Sequence, residues 1–478
     1  MSSAPVEQNA HPVVARPVLQ DLYRILLLQK NGAELLVSGE RPPHTLPCVE
    51  IPRWERVAEN VIAAVRKRYG ISAMCLFTPE LSAATIDGEP PLYQVMETRE
   101  ARIAAPDETR WICVNSFPDQ SFADEQDLAA IIDMSRQIAG FQSGEAIGPF
   151  GRPGWIEELS SWVQHEIDPY GLRLSAGFRQ LNASPTFALL RLETNGQAVW
   201  FKAVGEPNLR EFPISVALSK LFPGFVPTVI ATHPTWHGWL TTEFASSTLD
   251  EVPDACARER AAQTLAELQI ASVGKTDQLL EARCKELRVS SLLTLVDPFM
   301  EVMSQVMEQQ QKTPPPVLDG NELLTLRGQI KEALSELAEL NIPDTLGHLD
   351  FNPGNILCSA DQCVFLDWAE AYVGNPFLTL QYLREHLMRL RQEKFVSGTD
   401  LVKAYETKWH RILSPETVSA ALDLAPVLAV FAYAAGTEAW RNPTIPREPK
   451  IAGYLRSWTR RMHSEMQLLQ KRRDLCCN

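Results

Sequence analysis

Two neighbouring stretches of sequence decide the fold: GHLDFNPGNIL at residues 347–357 and VFLDW at residues 364–368. Short, apolar, β-prone segments lie on either side of the turn-forming tetrad SADQ at residues 359–362, so we predict a β-hairpin. This hairpin places Asn355 at the entrance of its first strand and Asp367 at the exit of its second. We therefore expect both side chains at the same end of the hairpin.

The polar residues of this segment have the types and spacing that phosphoryl transfer requires. In that reaction the protein mainly positions groups and neutralises charge on a nucleoside triphosphate. Asn355 and Asp367 supply hard oxygen ligands of the kind that Mg²⁺ prefers, and Asp350 lies where it could accept a proton from an attacking hydroxyl group. The spacing H-x-D-x-x-x-x-N, from His348 to Asn355, is that of a kinase catalytic loop. An Asp and an Asn in a loop are commonplace because both cap turns, but this ordered set is much less common by chance.

With these residues, the segment resembles the catalytic loop of the aminoglycoside phosphotransferase and choline kinase superfamily, in which Asp-Trp or Asp-Phe replaces the Asp-Phe-Gly of protein kinases. The resemblance extends from Leu172 to near Arg461. It implies an α+β, bilobal, protein-kinase-like fold with a small β-rich lobe and a large helical lobe. It also implies Mg²⁺-dependent transfer of the γ-phosphate of ATP (or GTP) to a hydroxyl group of a small molecule, with His348 bracing the loop.

The sequence departs from that family's pattern at three positions. Leu349 stands where relatives generally have glycine, Asn352 stands where a histidine is frequent, and Asn375 replaces the carboxylate of a Gly-Asp-Pro motif. None of these changes removes a group that must accept a proton or bind metal. The amide at Asn375 could still hydrogen-bond the catalytic loop, but an electrostatic role would be lost.

Within the resemblance, Lys202 is expected to contact the nucleotide phosphates. It is the single cation of the apolar strand AVWFKAV, where a lysine needs a partner or a route to water. The alternative is a lysine that protects an edge strand from aggregation. Its expected ion-pair partner is Glu211, which Pro213 confines to the start of a helix or just before it. The hinge that would offer backbone groups to the nucleotide base is expected at three residues: Glu243, Phe244 and Ala245.

An N-terminal region, residues 18–143, shows a pattern of its own, in the order strand, strand, helix, strands, helix. This order weakly resembles a Nudix hydrolase domain. That family requires a glutamate-rich helix just before a glycine, because the carboxylates hold the metals. Counting back from Gly70, the corresponding positions are Lys67 and Arg68, whose charge cannot bind Mg²⁺. We therefore expect a docking or regulatory domain without hydrolase activity; an unrelated α+β accessory domain is the alternative.

Apolar spacing predicts helices in the C-terminal half at residues 255–272, 279–296 and 322–340. The longest apolar stretch, residues 424–436, is interrupted by Pro426 and is too short to cross a bilayer, so it is expected to be a buried helix. The N-terminus lacks the basic and apolar regions of a signal peptide.

Composition narrows the class of protein further. The 478 residues include 59 acidic and 45 basic side chains, a net charge of −14 that argues against a general nucleic-acid binder. Nine cysteines, odd in number and without a Cys-x-x-Cys pair, favour a reduced, cytoplasmic setting. Cys358 and Cys363 flank the predicted hairpin turn and could lie near each other, although cysteine is also a small apolar core residue.

The expected organisation is a disordered N-terminus (1–17), the Nudix-like domain (18–143), a Gly/Pro-rich linker (144–154), a kinase-like N-lobe (155–250) and a C-lobe with the acceptor pocket (251–478). The expected partners are a nucleoside triphosphate and a small-molecule hydroxyl acceptor, with no nucleic acid and no membrane. A nucleotide-binding pseudokinase or scaffold with a regulatory Nudix-like domain is the alternative function, and a working N-terminal hydrolase served by the kinase-like half is another.

Overall fold

The computed structural model describes residues 19–53, 56–79, 91–100, 102–114, 122–144, 148–252, 254–391, 399–442, 444 and 448–477. The expected disordered N-terminus lies outside these residues. The chain forms two compact units, which we call the first unit (residues 1–206 with 233–240) and the second unit (residues 207–232 with 241–478). The domain boundaries expected at residues 143, 154 and 250 stay predictions. The N-terminal region is rich in strands and the C-terminal region in helices, so the protein is of mixed α+β class.

The first unit begins with a six-stranded sheet and two helices: β1 (Gln20–Gln29), β2 (Glu34–Ser38), β3 (Cys48–Pro52), α1 (Val57–Tyr69), β4 (Ala73–Phe77), β5 (Leu92–Thr98), β6 (Thr109–Cys113) and α2 (Glu125–Ser143). The strands lie in the order β4-β5-β1-β2-β6, and β3 also pairs with β1. The predicted hairpin of β1 and β2 is confirmed, with Leu28 opposite Leu35. The predicted succession of strands and helices is present, with β3 as an addition.

β3 was missed because prolines precede and end it. Its residues alternate nevertheless: Val49 and Ile51 are buried while Glu50 is exposed. This period of two is the pattern of a strand with one face against a core. Prolines at the two ends of a strand do not interrupt its hydrogen bonds, so the alternation was the better signal.

The middle of the chain contains α3 (Trp155–Ile167), β7 (Leu174–Ala183), β8 (Ala188–Thr194), β9 (Val199–Ala203), α4 (Glu211–Leu221), β10 (Val229–Thr232) and β11 (Gly238–Thr242). The strands β7, β8 and β9 are successive antiparallel neighbours in the first unit, and β11 lies on the other side of β9. The helix predicted at α3 and the strands predicted at β8 and β9 are confirmed.

Gln180 of β7 connects this sheet to the N-terminal sheet. Its buried amide accepts a hydrogen bond from the Cys75 N–H and donates one to the Cys75 carbonyl, both at 2.9 Å. The side chain therefore pairs with β4 as a neighbouring strand would. In addition, Arg179 forms an ion pair with Glu59 at 2.6 Å, and the carboxylate of Glu97 accepts the N–H of Gly154 at 2.8 Å.

The second unit continues with β12 (Ser247–Thr248), α5 (Ala255–Ser272), α6 (Thr276–Glu281), β13 (Lys285–Leu287), α7 (Val289–Glu308), α8 (Gly320–Glu339), β14 (Thr345–His348), β15 (Ile356–Cys358), β16 (Cys363–Phe365), β17 (Ala371–Gly374), α9 (Phe377–Arg391), α10 (Thr399–Trp409), α11 (Pro415–Gly436) and α12 (Pro449–Cys477). Two small sheets lie among these helices, in the orders β12-β15-β16 and β13-β17-β14. These strands and the loops beside them position the residues of the candidate site.

The prediction of one helix over residues 279–296 is wrong. In the structure α6 ends at Glu281, and Arg283 adopts a left-handed conformation (φ 76°). The strand β13 follows, and α7 begins at Val289. Apolar residues on both sides of the short strand maintained a helix-like spacing, which concealed the break.

Among the described residues, α11 is the one helix that is long and apolar enough to cross a membrane. Of the most apolar 18 consecutive residues of this helix, 67% are buried inside the protein, as is typical of a core helix. Pro426 lies within it, and residues such as Leu428 and Phe431 are completely buried. The prediction of a buried helix here is confirmed.

Candidate active site

The predicted hairpin is present as β15 and β16, with Ile356 opposite Phe365 and Cys358 opposite Cys363. Asn355 directly precedes β15, and the Leu366 N–H donates to the Asn355 carbonyl at 2.9 Å. Asp367 is the next residue, so the hairpin brings Asn355 and Asp367 to the same end. The local part of the prediction is confirmed.

His348 is the buried brace of this site. Only 1% of it is exposed, at the end of β14. Its Nδ1 accepts the backbone N–H of Asp350 at 3.1 Å, and its Nε2 lies 3.2 Å from the Leu366 carbonyl. A ring that accepts at Nδ1 and donates at Nε2 is the neutral tautomer. Desolvation lowers the pKa of His348 and outweighs the opposing effect of the Asp367 and Asp350 charges. The imidazole therefore joins the loop before β15 to the chain after β16.

The loop between β14 and β15 fixes Asp350 through Asn352. The Asn352 Nδ2 donates to Asp350 Oδ1 at 3.1 Å, while Asn352 Oδ1 accepts the Gly354 N–H at 2.9 Å. The carboxylate is half-buried, and no described residue donates a hydrogen bond to its second oxygen. One lone pair of Asp350 is thus held while the other side of the carboxylate stays available to a substrate hydroxyl. Sequence reasoning noted Asn352 only as a departure from the family and missed this role.

Asn355 is oriented by its amide nitrogen. Its Nδ2 donates to the Asp350 carbonyl at 3.0 Å, and no described residue donates to its Oδ1. An amide whose nitrogen is engaged in this way presents its oxygen, the atom that a hard cation would bind.

Asp367 has an unusual backbone. It is exposed and adopts a left-handed conformation, with φ 62° and ψ 59°. This conformation costs a residue with a Cβ about 1–2 kcal/mol and persists where the surroundings require it, often at functional sites. The next residue, Trp368, is buried against the ring of His348, with centroids 5.0 Å apart.

Lys285 anchors the segment after Asp367, and sequence reasoning missed it. Its ammonium forms an ion pair with Glu370 and donates to the Gly436 carbonyl at 2.8 Å. The Glu370 carbonyl in turn accepts the Leu349 N–H at 3.0 Å. Lys285 lies on β13, far from the motif in sequence, so no local signal could have identified it.

The other departures from the family pattern have structural explanations. The side chain of Leu349 is buried beside Gly436, where an added Cβ would lie 2.9 Å from the leucine Cδ1. A larger residue at 349 is thus accommodated by a missing side chain at 436.

Asn375 is buried and its Oδ1 accepts the Phe377 N–H at 3.0 Å, so it caps α9. No hydrogen bond from its side chain to residues 347–357 is formed within the described structure.

The remaining candidate residues lie in both units. Lys202 is on β9 in the first unit, opposite Leu189, with its ammonium 5.9 Å from the ring centroids of Phe187 and Trp239. Glu211 is buried at the first position of α4 in the second unit, where Pro213 falls in the first helical turn as predicted. The ion pair between Lys202 and Glu211 stays a prediction.

The three hinge candidates, Glu243, Phe244 and Ala245, directly follow β11. Glu243 and Phe244 are half-buried and Ala245 is exposed. Their contacts with a nucleotide base stay a prediction.

Residues 226–413 match the model of the family described as phosphotransferase enzyme family. The matched segment contains the whole loop and hairpin described above and the hinge candidates, but not Lys202 or Glu211. The match supports a small-molecule phosphotransferase. A search of curated proteins returned no match.

Among solved structures, the chain is similar to a choline kinase from Cryptosporidium parvum Iowa II, with 11% identity over 66% of this chain and 97% of that chain and a TM-score of 0.45. It is also similar to a Plasmodium vivax ethanolamine kinase, with 12% identity over 74% and 91% of the two chains and a TM-score of 0.43. A spectinomycin phosphotransferase in complex with ADP and spectinomycin matches with 10% identity over 65% and 98% of the chains and a TM-score of 0.37.

Proposed function

We propose that this protein is a Mg²⁺-dependent kinase that moves the γ-phosphate of ATP (or GTP) to a hydroxyl group of a small molecule. The observation that carries the proposal is the geometry of one loop and hairpin. They hold the Asp350 carboxylate by one oxygen, present the Asn355 amide oxygen, and return the chain so that Asp367 follows at the same end. The family match over residues 226–413 supports the same class of reaction.

Asp350 acts as the general base. Its carboxylate aligns the acceptor hydroxyl and takes the proton as the oxygen attacks the γ-phosphate. His348 keeps the Asp350 backbone in place, and Asn352 keeps the carboxylate from rotating. These are positioning roles, and they follow from the hydrogen bonds in the loop.

Asn355 and Asp367 would hold Mg²⁺. Bound there, the ion would neutralise charge on the nucleotide phosphates. Two protein oxygens leave most of an octahedral shell to phosphates and water, as is usual for Mg²⁺ in nucleotide sites. In the ranges that the structure describes, no group of three or more His, Cys, Asp or Glu side chains could hold a metal ion. We therefore expect metal binding to depend on the nucleotide.

Lys202 would contact the α- and β-phosphates, with Glu211 as its ion-pair partner. Residues 243–245 would form the hinge that meets the nucleotide base. These roles rest on the family resemblance together with the positions of Lys202 on β9 and Glu211 at the start of α4.

The finer architecture is also a proposal. We propose a bilobal kinase-like fold with its N-lobe at residues 155–250 and its C-lobe, with the acceptor pocket, at residues 251–478. We propose that residues 18–143 are a Nudix-like accessory domain, connected by the segment 144–154 and without hydrolase activity. Lys67 and Arg68 in the last turn of α1 support the lack of activity, because cationic side chains cannot bind a metal. We further propose a cytoplasmic protein that binds neither nucleic acid nor a membrane.

The test has two stages. A thermal-shift titration with Mg·ATP and Mg·GTP should raise the melting temperature, because a ligand that binds only the native state stabilises it. A screen of hydroxyl-bearing metabolites for ADP (or GDP) production should then identify the acceptor. No stabilisation at millimolar nucleotide would contradict the proposal. Stabilisation without turnover on any acceptor would instead favour the pseudokinase.

With an acceptor in hand, Asp350→Asn should lower kcat by about 10²–10⁴-fold while nucleotide affinity is retained. The matched control is Asp361→Asn, an exposed aspartate in the turn of the same hairpin, which should leave kcat unchanged. Unchanged turnover in Asp350→Asn would refute the base assignment.

A further inference from the structure

A pair of thiols lies at the turn end of the catalytic hairpin, where Cys358 and Cys363 are directly opposite each other. Both are free cysteines, with exposed fractions of 7% and 0%. The phosphotransfer proposal uses neither thiol.

Backbone hydrogen bonds at both ends of the hairpin show whether Cys358 and Cys363 form a hydrogen-bonded or a non-hydrogen-bonded pair of the antiparallel ladder. The Leu366 N–H donates to the Asn355 carbonyl at one end, and the Ser359 N–H donates to the Gln362 carbonyl at the other, both at 2.9 Å. Hydrogen-bonded and non-hydrogen-bonded pairs alternate along an antiparallel ladder, so positions 358 and 363 form a non-hydrogen-bonded pair. The Cα atoms of such a pair are about 4.5 Å apart, within the about 4.4–6.8 Å that a disulfide spans. The backbone therefore already permits a bond between these sulfurs.

The surroundings distinguish the two thiols. Interaction with the Cys363 thiol lowers the pKa of Cys358 against the opposing effect of burial. The Arg260 charge lowers the pKa of Cys363 as well as that of Cys358. Arg260 is held beside it because its guanidinium donates to the Ser359 carbonyl at 2.9 Å. Cys358 is the more exposed of the two thiols, and it directly precedes Ser359, whose carbonyl holds Arg260. Cys358 is therefore the nucleophile, and Cys363 is its resolving partner.

We propose that Cys358 and Cys363 form a redox-active dithiol whose oxidant is hydrogen peroxide or an organic hydroperoxide. The Cys358 thiolate attacks one peroxide oxygen, the O–O bond breaks, and Cys358 becomes a sulfenic acid as water (or the alcohol) leaves with a proton from solvent. The Cys363 sulfur then attacks the sulfenic sulfur, forms the S–S bond and releases a second water. Two electrons pass from the two sulfurs to the peroxide.

The resulting disulfide would join β15 and β16 at the turn end of the hairpin, and Asn355 and Asp367 lie at the opposite end. The side chains at 356, 358, 363 and 365 lie on the buried face of the hairpin. A disulfide formed there would be shielded from solvent, so its reduction should need a small thiol reagent. If the cysteines are only small apolar core residues, they should resist oxidation while exposed cysteines react.

In the test, the 478-residue protein with Cys476 and Cys477 replaced by serine is treated with hydrogen peroxide, and the remaining thiols are then alkylated. We expect the peptide that contains Cys358 and Cys363 to lose two hydrogens and to escape alkylation, with dithiothreitol restoring both thiols. If both cysteines are still alkylated when the exposed Cys113 has been oxidised, the proposal is overturned.

Single variants test the order of the two steps. In Cys363→Ser, a dimedone-type reagent should label Cys358, because its sulfenic acid has no resolving thiol. In Cys358→Ser, Cys363 should stay unlabelled; the reverse pattern would overturn the assignment of the nucleophile. Phenylarsine oxide, which binds pairs of neighbouring thiols, provides a second measurement. We expect the protein that retains both Cys358 and Cys363 to bind one equivalent. Binding that survives Cys358→Ser would count against the pair.

Discussion

Replacing His348 separates the two hydrogen bonds that hold the proposed catalytic loop. In His348→Asn, the amide oxygen can take the place of Nδ1 and accept the Asp350 N–H, but nothing reaches the Leu366 carbonyl. In His348→Gln, the longer amide can reach that carbonyl but leaves the Asp350 N–H without its acceptor. Each variant thus lacks one of the two contacts seen at 3.1 and 3.2 Å.

The cost can be estimated from burial. Leaving one buried polar group without its partner costs about 1–3 kcal/mol, so each variant should lower the free energy of unfolding by that amount at pH 7. Urea denaturation measures this loss. Since His348→Gln alone frees the Asp350 backbone, it should also lower kcat more than His348→Asn does.

The loss of stability caused by replacing His348 should depend on pH. Burial lowers the pKa of His348 below its ordinary value of 6.5, so below pH 6.5 the unfolded chain binds a proton that the native protein does not. Wild-type stability therefore falls by up to about 1.4 kcal/mol for each pH unit below 6.5, and neither variant has this contribution. We expect the stability difference between wild type and His348→Asn to narrow between pH 7 and pH 5.5. A difference that widens on acidification would mean that the native imidazole is charged, and the neutral brace would be refuted.

Three other substitutions test separate features. Asp367→Gly should remove the Mg·ATP-dependent rise in melting temperature, because it removes the carboxylate that would hold the metal. Thermal melts with and without nucleotide measure this, and a rise that persists in the variant would contradict the proposed role of Asp367. Burial raises the pKa of Glu97 to about 7 from 4.5, so its contribution to stability is present below pH 4.5 and is lost as the pH rises through 7. Glu97→Gln should therefore stabilise the protein by up to about 3 kcal/mol at pH 8 and by little at pH 4.5. Urea denaturation at the two pH values measures this, and an equal effect at both would contradict the raised pKa of Glu97. Gly436→Ala should cost about 1 kcal/mol, because the side-chain ends of Leu349 and Leu287 must move away from the added methyl group. Adding Leu349→Ala should cost less than the sum of the single effects, whereas strict additivity would exclude the contact with Leu349.

The parts of the site that depend on neighbours in sequence could be predicted. The tetrad at 359–362 determines the turn, the turn sets the register of β15 and β16, and the register brings Asn355 and Asp367 to one end. Pro213 likewise limited where α4 could begin, and the structure begins it at Glu211.

The parts that depend on distant residues could not be predicted. The sheet of β13, β17 and β14 joins segments three or four residues long from three separate regions, too short for a periodic signal. The ion pair of Lys285 with Glu370 spans 85 positions, and the fit of Leu349 against Gly436 spans 87. Each of these depends on tertiary packing, which local propensity does not encode.

Shortened forms of this protein would expose a strand edge that Gln180 now covers. If the chain were cut between the two sheets of the first unit, the peptide group of Cys75 would lose its amide partner, and β4 would become an open border of apolar residues. Such a border is a template on which a second molecule can add a strand. The N-terminal fragment would then tend to self-associate, so the isolated domain would be a poor substitute for the intact protein in binding studies.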